Sequence, residues 1–159
     1  MVYIFDTSSL LTLQNYYPDQ FPSFWIVFNN FVQNNKILSV KEAFGEIDER
    51  ITKPHLFNWC KLNKNIFLIP DEDETIFLAD IFKVPRFLDL VNQKSRLRNK
   101  PIADPFIIAS AKIKNGCVVT EESKKIKTLD APRIPNVCDY FNINYMNLEG
   151  FMVKEGWKF

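Results

Sequence analysis

The fold is decided first by residues 2–10, which read VYIFDTSSL. Residues 2–5 are all β-branched or aromatic, and a run that is apolar on both faces is typical of a buried strand in a parallel sheet. Asp6 ends this run, and the hydroxyl residues at 7–9 follow it as a strand-to-helix turn. Their side chains can cap a helix from residue 10 to about residue 15. The stretch therefore predicts a strand, an acid at its carboxyl end, and a helix.

The same alternation of strand and helix continues along the chain. Further strands are predicted near residues 36–40, 66–69, 117–119 and 143–145, and helices near 21–32, 41–53, 56–60, 71–84, 86–91 and 104–114, and from 148 onward. Between residues 120 and 143, where Pro132 and Pro135 fall, the sequence predicts irregular structure. Short apolar strands between amphipathic helices indicate one α/β domain over residues 1–159, a three-layer α/β/α sandwich with a central, mainly parallel sheet.

Composition and charge limit the classes of function. The chain has 159 residues, of which 47% are hydrophobic and 25% charged, as in an ordinary globular domain. Twenty basic residues against 19 acidic residues give a formal charge of +1, so any nucleic-acid site has to be local. The 15 Phe residues predict a core filled largely by aromatic rings.

The spacing of the cysteines and the sequence of the N-terminus bear on the cellular compartment of the protein. Cys60, Cys117 and Cys138 are odd in number, widely spaced and without a CxxC pair, which argues against both a disulfide framework and a zinc knuckle. The apolar N-terminus contains Asp6 and lacks a basic leader, so it resembles neither a secretory signal nor a membrane-spanning helix. We therefore expect a cytoplasmic protein without a membrane partner.

Four carboxylates are predicted to meet at one edge of the sheet. Asp6 follows the first strand, Glu46 lies on the helix after the second strand, Asp104 is predicted to cap a helix, and Glu122 follows a later strand. In open parallel sheets, ligands bind beyond the carboxyl ends of the strands, near the switch in strand order. Sites that cleave phosphodiesters use oxygen-liganded cations such as Mg²⁺ and Mn²⁺ to polarise the phosphate. Taken singly, each acid is also explained as a helix cap or a solvated surface group, and Glu42 competes with Glu46.

The residues around these acids resemble the PIN-domain nucleases. The runs YIFDTSSL, SVKEAFGEI, ADPFIIASA and VVTEE are similar, in order and spacing, to the four successive motifs of that family across the whole chain. The phrases NKPIADPFIIA, VVTEE and IPNVC are similar to a PIN-like subgroup of uncharacterised bacterial proteins. Carried over by position, Asp6, Glu46 and Asp104 match the first three acids, and Glu122 matches a fourth that is commonly Asp.

The resemblance implies a chemistry and a set of partners. It implies Mg²⁺ or Mn²⁺ as cofactor, held by Asp6, Asp104 and Glu122, with Ser8 and Thr120 as the hydroxyls that order the site. It implies endonucleolytic hydrolysis of RNA, with the stand-alone toxins of type II toxin-antitoxin pairs among the relatives. Partners would then be the RNA substrate and a cognate antitoxin protein, and a homodimer is left open.

Two departures from the family pattern stand out. The fourth acid is Glu rather than Asp, and either Glu121 or Glu122 can fill that position, which leaves the number of bound ions open. Asp104 is followed by Pro105 and Phe106, where many relatives have small residues. Proline at the first helical position removes only an N–H that has no intrahelical partner, so the second departure is tolerated.

Two basic segments are candidates for binding RNA phosphates. The first contains Lys94, Arg96, Arg98 and Lys100, and the second contains Lys124, Lys125 and Lys127 beside Glu122. Basic side chains neutralise phosphates and position a strand without reading its sequence. Either segment can equally be a solvated surface.

Two other classes of function compete with the nuclease. The first is a catalytically silent PIN-like domain that binds protein or RNA, against which the four retained acids argue, because unpaired like charges destabilise a fold that lacks a cation. The second is a phosphatase or receiver-like α/β domain. It needs a Lys at a later strand end, where this chain has Glu121 and Glu122.

Overall fold

The structure, a computed structural model, describes residues 1–91, 102–124 and 132–159. Its sheet contains the strands β1 (Tyr3–Phe5), β2 (Ile37–Val40), β3 (Phe67–Leu68), β4 (Cys117–Val119) and β5 (Asn144–Met146). The spatial order is β3-β2-β1-β4-β5, and every pairing is parallel. The α/β class with a parallel central sheet is therefore confirmed.

Helices connect the strands and cover the sheet. They are α1 (Thr7–Thr12), α2 (Pro22–Gln33), α3 (Lys41–Arg50), α4 (Pro54–Leu62), α5 (Glu72–Phe82), α6 (Asp104–Ile113), α7 (Ile134–Phe141) and α8 (Leu148–Lys154). Short 3₁₀ turns lie at Leu13–Asn15, Lys64–Ile66 and Pro85–Leu90. In the described part of the chain, no helix combines the length and apolar character needed to cross a membrane.

Two hydrophobic cores lie on opposite faces of the sheet. Side chains of a strand alternate between the faces, so Tyr3 and Phe5 enter one core while Ile4 enters the other. The first core is completed by α2, α4 and α8, and the second by α5, α6 and α7. Since both faces are covered by helices, the architecture is the expected three-layer sandwich.

Aromatic rings fill the first core, as the Phe content predicted. Phe5 packs edge-on against both Phe28 and Phe151, with ring centroids 5.7 and 5.3 Å apart. Phe24 stacks on Phe28 at 5.5 Å, and such pairs add about 0.5–1.5 kcal/mol each beyond the area that they bury. All three cysteines are buried as free thiols.

The stretch predicted as irregular contains a helix, and that prediction was wrong. Helix α7 begins at Ile134 with Pro135 in its first turn and ends at Phe141, and the next residue, Asn142, has a left-handed φ of 54°. Proline at the start of a helix removes only a donor that has no partner there. The two prolines were read as breakers, whereas Pro135 helps to start the helix.

Candidate functional site

The site lies where the order of the strands reverses direction. β1 and β4 are neighbours in the sheet, with Phe5 opposite Val119. Asp6 follows directly on β1, and its backbone N–H donates to the carbonyl of Val119 at 2.9 Å. Chain connections leave β1 towards β2 on one side and come to β4 on the other, which is the switch point at which open sheets bind ligands. The loops after β1 and β4 therefore start side by side.

A pair of hydroxyls fixes the carboxylate of Asp6. Ser8 and Thr120 both donate to its Oδ2, at 2.6 and 2.8 Å. The backbone amides of Glu121 and Glu122 donate in turn to these hydroxyls, at 3.0 and 3.1 Å. A hydroxyl donates through its one proton and accepts through its oxygen. Because the two amides donate to the hydroxyl oxygens, each hydroxyl proton remains free to donate to Asp6. Asp6 is 3% exposed and held in one orientation from both loops.

Asp104 is the second acid of the site, and its environment is crowded with negative charge. It is the first residue of α6 and is partly buried. Burial raises the pKa of the Asp104 carboxyl well above its usual range, and the charges of Asp6, Glu122 and Glu46 raise that pKa further, in that order. A hydrogen bond from its own backbone N–H acts in the opposite direction. The four predicted acids thus lie close enough to interact electrostatically.

The prediction that Asp104 caps its helix was wrong by one residue. Ala103 occupies the N-cap position of α6, and no side chain caps that end. Asp6 does stand at the N-cap of α1, but its carboxylate also makes no capping bond. Neither carboxylate therefore makes the backbone capping bond that was the alternative explanation for it.

Glu122, rather than Glu121, faces the other acids. Burial raises the pKa of Glu122, the backbone N–H of Ile134 and the charge of Arg133 lower it, and the charges of Asp6 and Glu46 raise it. Its Oε2 accepts the N–H of Ile134 at 3.0 Å. Glu121 is exposed and turns away, since its Oε1 accepts the N–H of Leu148 at the start of α8, at 2.8 Å.

Glu46 joins the site from the third helix. Its Oε1 accepts the backbone N–H of Ala103 at 2.9 Å, which ties α3 to the residue in front of Asp104. Glu42 lies one turn earlier and has a buried Oε2 without a hydrogen-bond partner among the described residues. Its charge is absent from the groups that act on Asp104 and Glu122. The geometry thus favours Glu46 over Glu42.

The donor set suits a hard divalent cation, but its side chains stand apart. Carboxylate and hydroxyl oxygens are the ligands that Mg²⁺ and Mn²⁺ prefer. In residues 1–91, 102–124 and 132–159, no three Asp, Glu, His or Cys side chains are arranged closely enough to hold a metal ion. Glu46 and Glu122 are each drawn to a backbone amide at 2.9 and 3.0 Å. Small side-chain rotations would have to bring the carboxylates onto a shared ion.

The basic segments are only partly within the described structure. Lys94, Arg96, Arg98 and Lys100 lie outside the described residues, as do Lys125 and Lys127. Lys124 is described, and its ammonium forms an ion pair with Asp139. A basic residue that the sequence did not single out, Arg133, lies beside Glu122. It stands alone between two prolines, so neither charge clustering nor periodicity distinguished it.

Comparisons with known proteins place the chain in a family. Residues 3–159 match the family model described as "Domain of unknown function (DUF4411)". No curated protein matches the sequence significantly. A solved structure, "Crystal structure of PAE2754 from Pyrobaculum aerophilum", is similar over 97% of this chain and 96% of that chain, with 12% sequence identity and a TM-score of 0.48.

Proposed function

The chain belongs to the family described as a domain of unknown function (DUF4411), and we propose that it is a divalent-metal-dependent endoribonuclease that hydrolyses RNA phosphodiesters. One observation carries the proposal. The charges of Asp6, Glu122 and Glu46 all act on the partly buried carboxyl group of Asp104, at the switch point of a parallel sheet. Like charges gathered in this way cost stability unless a cation neutralises them. The resemblance of the four surrounding motifs to PIN-domain nucleases supports the same reaction.

Each acid has a distinct role in this proposal. Asp6, Asp104 and Glu122 would hold Mg²⁺ or Mn²⁺, and Glu46 would complete or orient the coordination. The cation would supply Lewis-acid polarisation of the scissile phosphate. Ser8 and Thr120 position Asp6 through its Oδ2.

We further propose a biological setting, the toxin of a type II toxin-antitoxin pair. The RNA would be the substrate, and a cognate antitoxin protein would block the carboxylate site. Expression of the protein in a bacterial host should then arrest growth, and Asp104→Asn should relieve the arrest. Growth arrest that persists in that variant at equal protein level would contradict the toxin assignment.

A silent binding module is the second candidate, and one observation favours it. Within the described residues, no three acids are arranged to hold a metal, and two of the four already accept backbone N–H groups. A binding module would bind RNA or protein without cutting. It would show no metal-induced change in stability.

A metal titration separates the two candidates. Purified protein is incubated with a mixed RNA pool under increasing Mn²⁺ or Mg²⁺, the fragment ends are mapped, and the metal affinity is measured by calorimetry. We expect cuts that depend on metal and that disappear in Asp6→Asn and Asp104→Asn. Asp48→Asn is the matched control, because Asp48 is exposed on α3.

A second pair of variants tests Glu46. Glu46→Gln keeps an acceptor for the N–H of Ala103 but removes the charge, whereas Glu46→Ala removes both. We expect both variants to lose cleavage, but only Glu46→Ala to lose thermal stability. Metal-independent RNA binding without any cleavage would favour the silent module, and so would an unchanged melting temperature in Mn²⁺.

A further inference from the structure

Arg133 is a cation placed directly beside the carboxylate site. It immediately precedes Ile134, whose backbone N–H donates to Glu122 Oε2 at 3.0 Å. Its charge acts on the carboxyl group of Glu122. No other cation acts on Asp104 or Glu122 among the described groups that shift the pKa of these two acids.

Among the described residues, the guanidinium of Arg133 donates to two neutral oxygens. Its Nη1 donates to the backbone O and to the Oγ of Ser123, both at 3.3 Å, which is long for such bonds. A guanidinium has five N–H donors, so three of them make no hydrogen bond to a described residue. Among the ion pairs of the described residues, none involves Arg133, whereas the neighbouring Lys124 is paired with Asp139. The guanidinium is therefore held in place by Ser123 and, among the described residues, is in no ion pair.

This placement answers a difficulty of the proposed reaction. Four carboxylates repel a phosphodiester, and a cation of the protein beside them would offset part of that repulsion. The fork of a guanidinium matches two oxygens of one phosphate group. We propose that Arg133, held by Ser123, binds a backbone phosphate of the RNA strand beside Glu122. The inference rests on the proposed function, because it names how that site takes its substrate.

The experiment measures binding without cleavage. A fluorescently labelled single-stranded RNA is titrated with the Asp104→Asn variant. The titration is repeated with a double variant that carries Asp104→Asn and Arg133→Gln. Lys36→Gln in the same background is the control, because Lys36 is exposed and precedes β2 at the opposite edge of the sheet. Each phosphate contact contributes about −0.7 to the slope of log K against log salt concentration for single strands. Loss of one contact should therefore weaken binding about fivefold at 0.1 M salt and make the slope less negative by about 0.7.

Conservative replacement keeps the test independent of folding. Arg133→Lys retains the charge but loses the fork, so it should keep the salt slope while binding more weakly than Arg133. A thermal melt of each variant checks that the domain is folded. Equal RNA affinity and equal salt slope for Arg133→Gln and Lys36→Gln would overturn the inference. A lower melting temperature of Arg133→Gln with unchanged RNA binding would mean that Arg133 only offsets the repulsion between the carboxylates.

Failure of the inference and failure of the proposed function give different results. If wild-type protein cuts RNA with metal while Arg133→Gln cuts and binds as well as wild type, the nuclease stands and the phosphate contact falls. If wild-type protein neither cuts nor binds RNA, both fall. If Asp104→Asn protein binds RNA and Arg133→Gln weakens this binding while no metal-dependent cutting occurs, the phosphate contact stands and the nuclease falls.

Discussion

Replacement of Asp104 by Asn should stabilise the metal-free protein. Two like unit charges about 8 Å apart repel by about 2 kcal/mol at an effective dielectric constant near 20. The charges of Asp6, Glu122 and Glu46 all act on Asp104 in this sense. Protonation and solvent screening relieve much of this repulsion in the wild type. The gain left for Asn is about 2 kcal/mol at pH 8, or roughly 4–8 °C in Tm for a domain of this size. Asn also keeps an acceptor for the backbone N–H of residue 104.

The pH dependence of this effect has a definite sign. The pKa values of Asp104 and Glu122 are raised in the folded protein, so the folded state binds protons more tightly than the unfolded chain. Their contribution to stability is complete below the unfolded values near 4 and is lost as the pH rises through the folded values. We expect the wild-type Tm without metal to fall from pH 5 to pH 8, and Asp104→Asn to flatten that fall.

Differential scanning calorimetry in a chelator, over this pH range, makes the measurement. Asp48→Asn serves as the control, since Asp48 is exposed. Saturating Mn²⁺ should reverse the order of stability, because a ligand at 100 times its Kd stabilises the state that binds it by about 2.7 kcal/mol. A variant less stable than wild type at every pH would refute the reasoning and would assign Asp104 to starting its helix.

Three further predictions concern the framework of the site. Thr120→Val should lower the free energy of unfolding by about 1–3 kcal/mol and reduce cleavage, because it removes a buried hydroxyl that donates to Asp6. Urea denaturation measures this change in stability, and Thr120→Ser is the control. Gly116→Ala should lower stability by roughly 1–3 kcal/mol, because its Cβ would meet the carbonyl oxygen of Val2 at 2.9 Å, and an unchanged melting curve would contradict this. Burial raises the pKa of the Cys60 thiol to about 12. A thiol reagent at pH 8 should therefore label Cys60 only as fast as the domain unfolds. Labelling faster than amide exchange of the core would disprove the burial of Cys60.

The sheet could be predicted because its strands are short apolar runs with a polar end. β1, β2 and β4 lie within one residue of their predicted bounds. Their sequences predict buried parallel strands, because such strands are apolar on both faces. The position of the site followed from the same pattern, because parallel strands end at one edge.

The boundaries and the orientation of single acids could not be predicted, because tertiary contacts decide them. The amide of Ala103 donates to Glu46, 57 residues away in sequence, and α6 begins one residue before the predicted position. Glu121 and Glu122 have identical side chains, and only the helix starts beside them differ. Leu148 takes one carboxylate and Ile134 takes the other.

For three of the acids, the hydrogen bonds from described residues go to one carboxylate oxygen. Described residues donate to Oδ2 of Asp6, to Oε1 of Glu46 and to Oε2 of Glu122. Each bond fixes the plane of a carboxylate, while the second oxygen keeps its lone pairs for a cation or water. In the proposed nuclease, hydrogen bonds of this kind would hold the carboxylates in place for a cation, so removing the charge of one acid should reduce activity more than changing its shape.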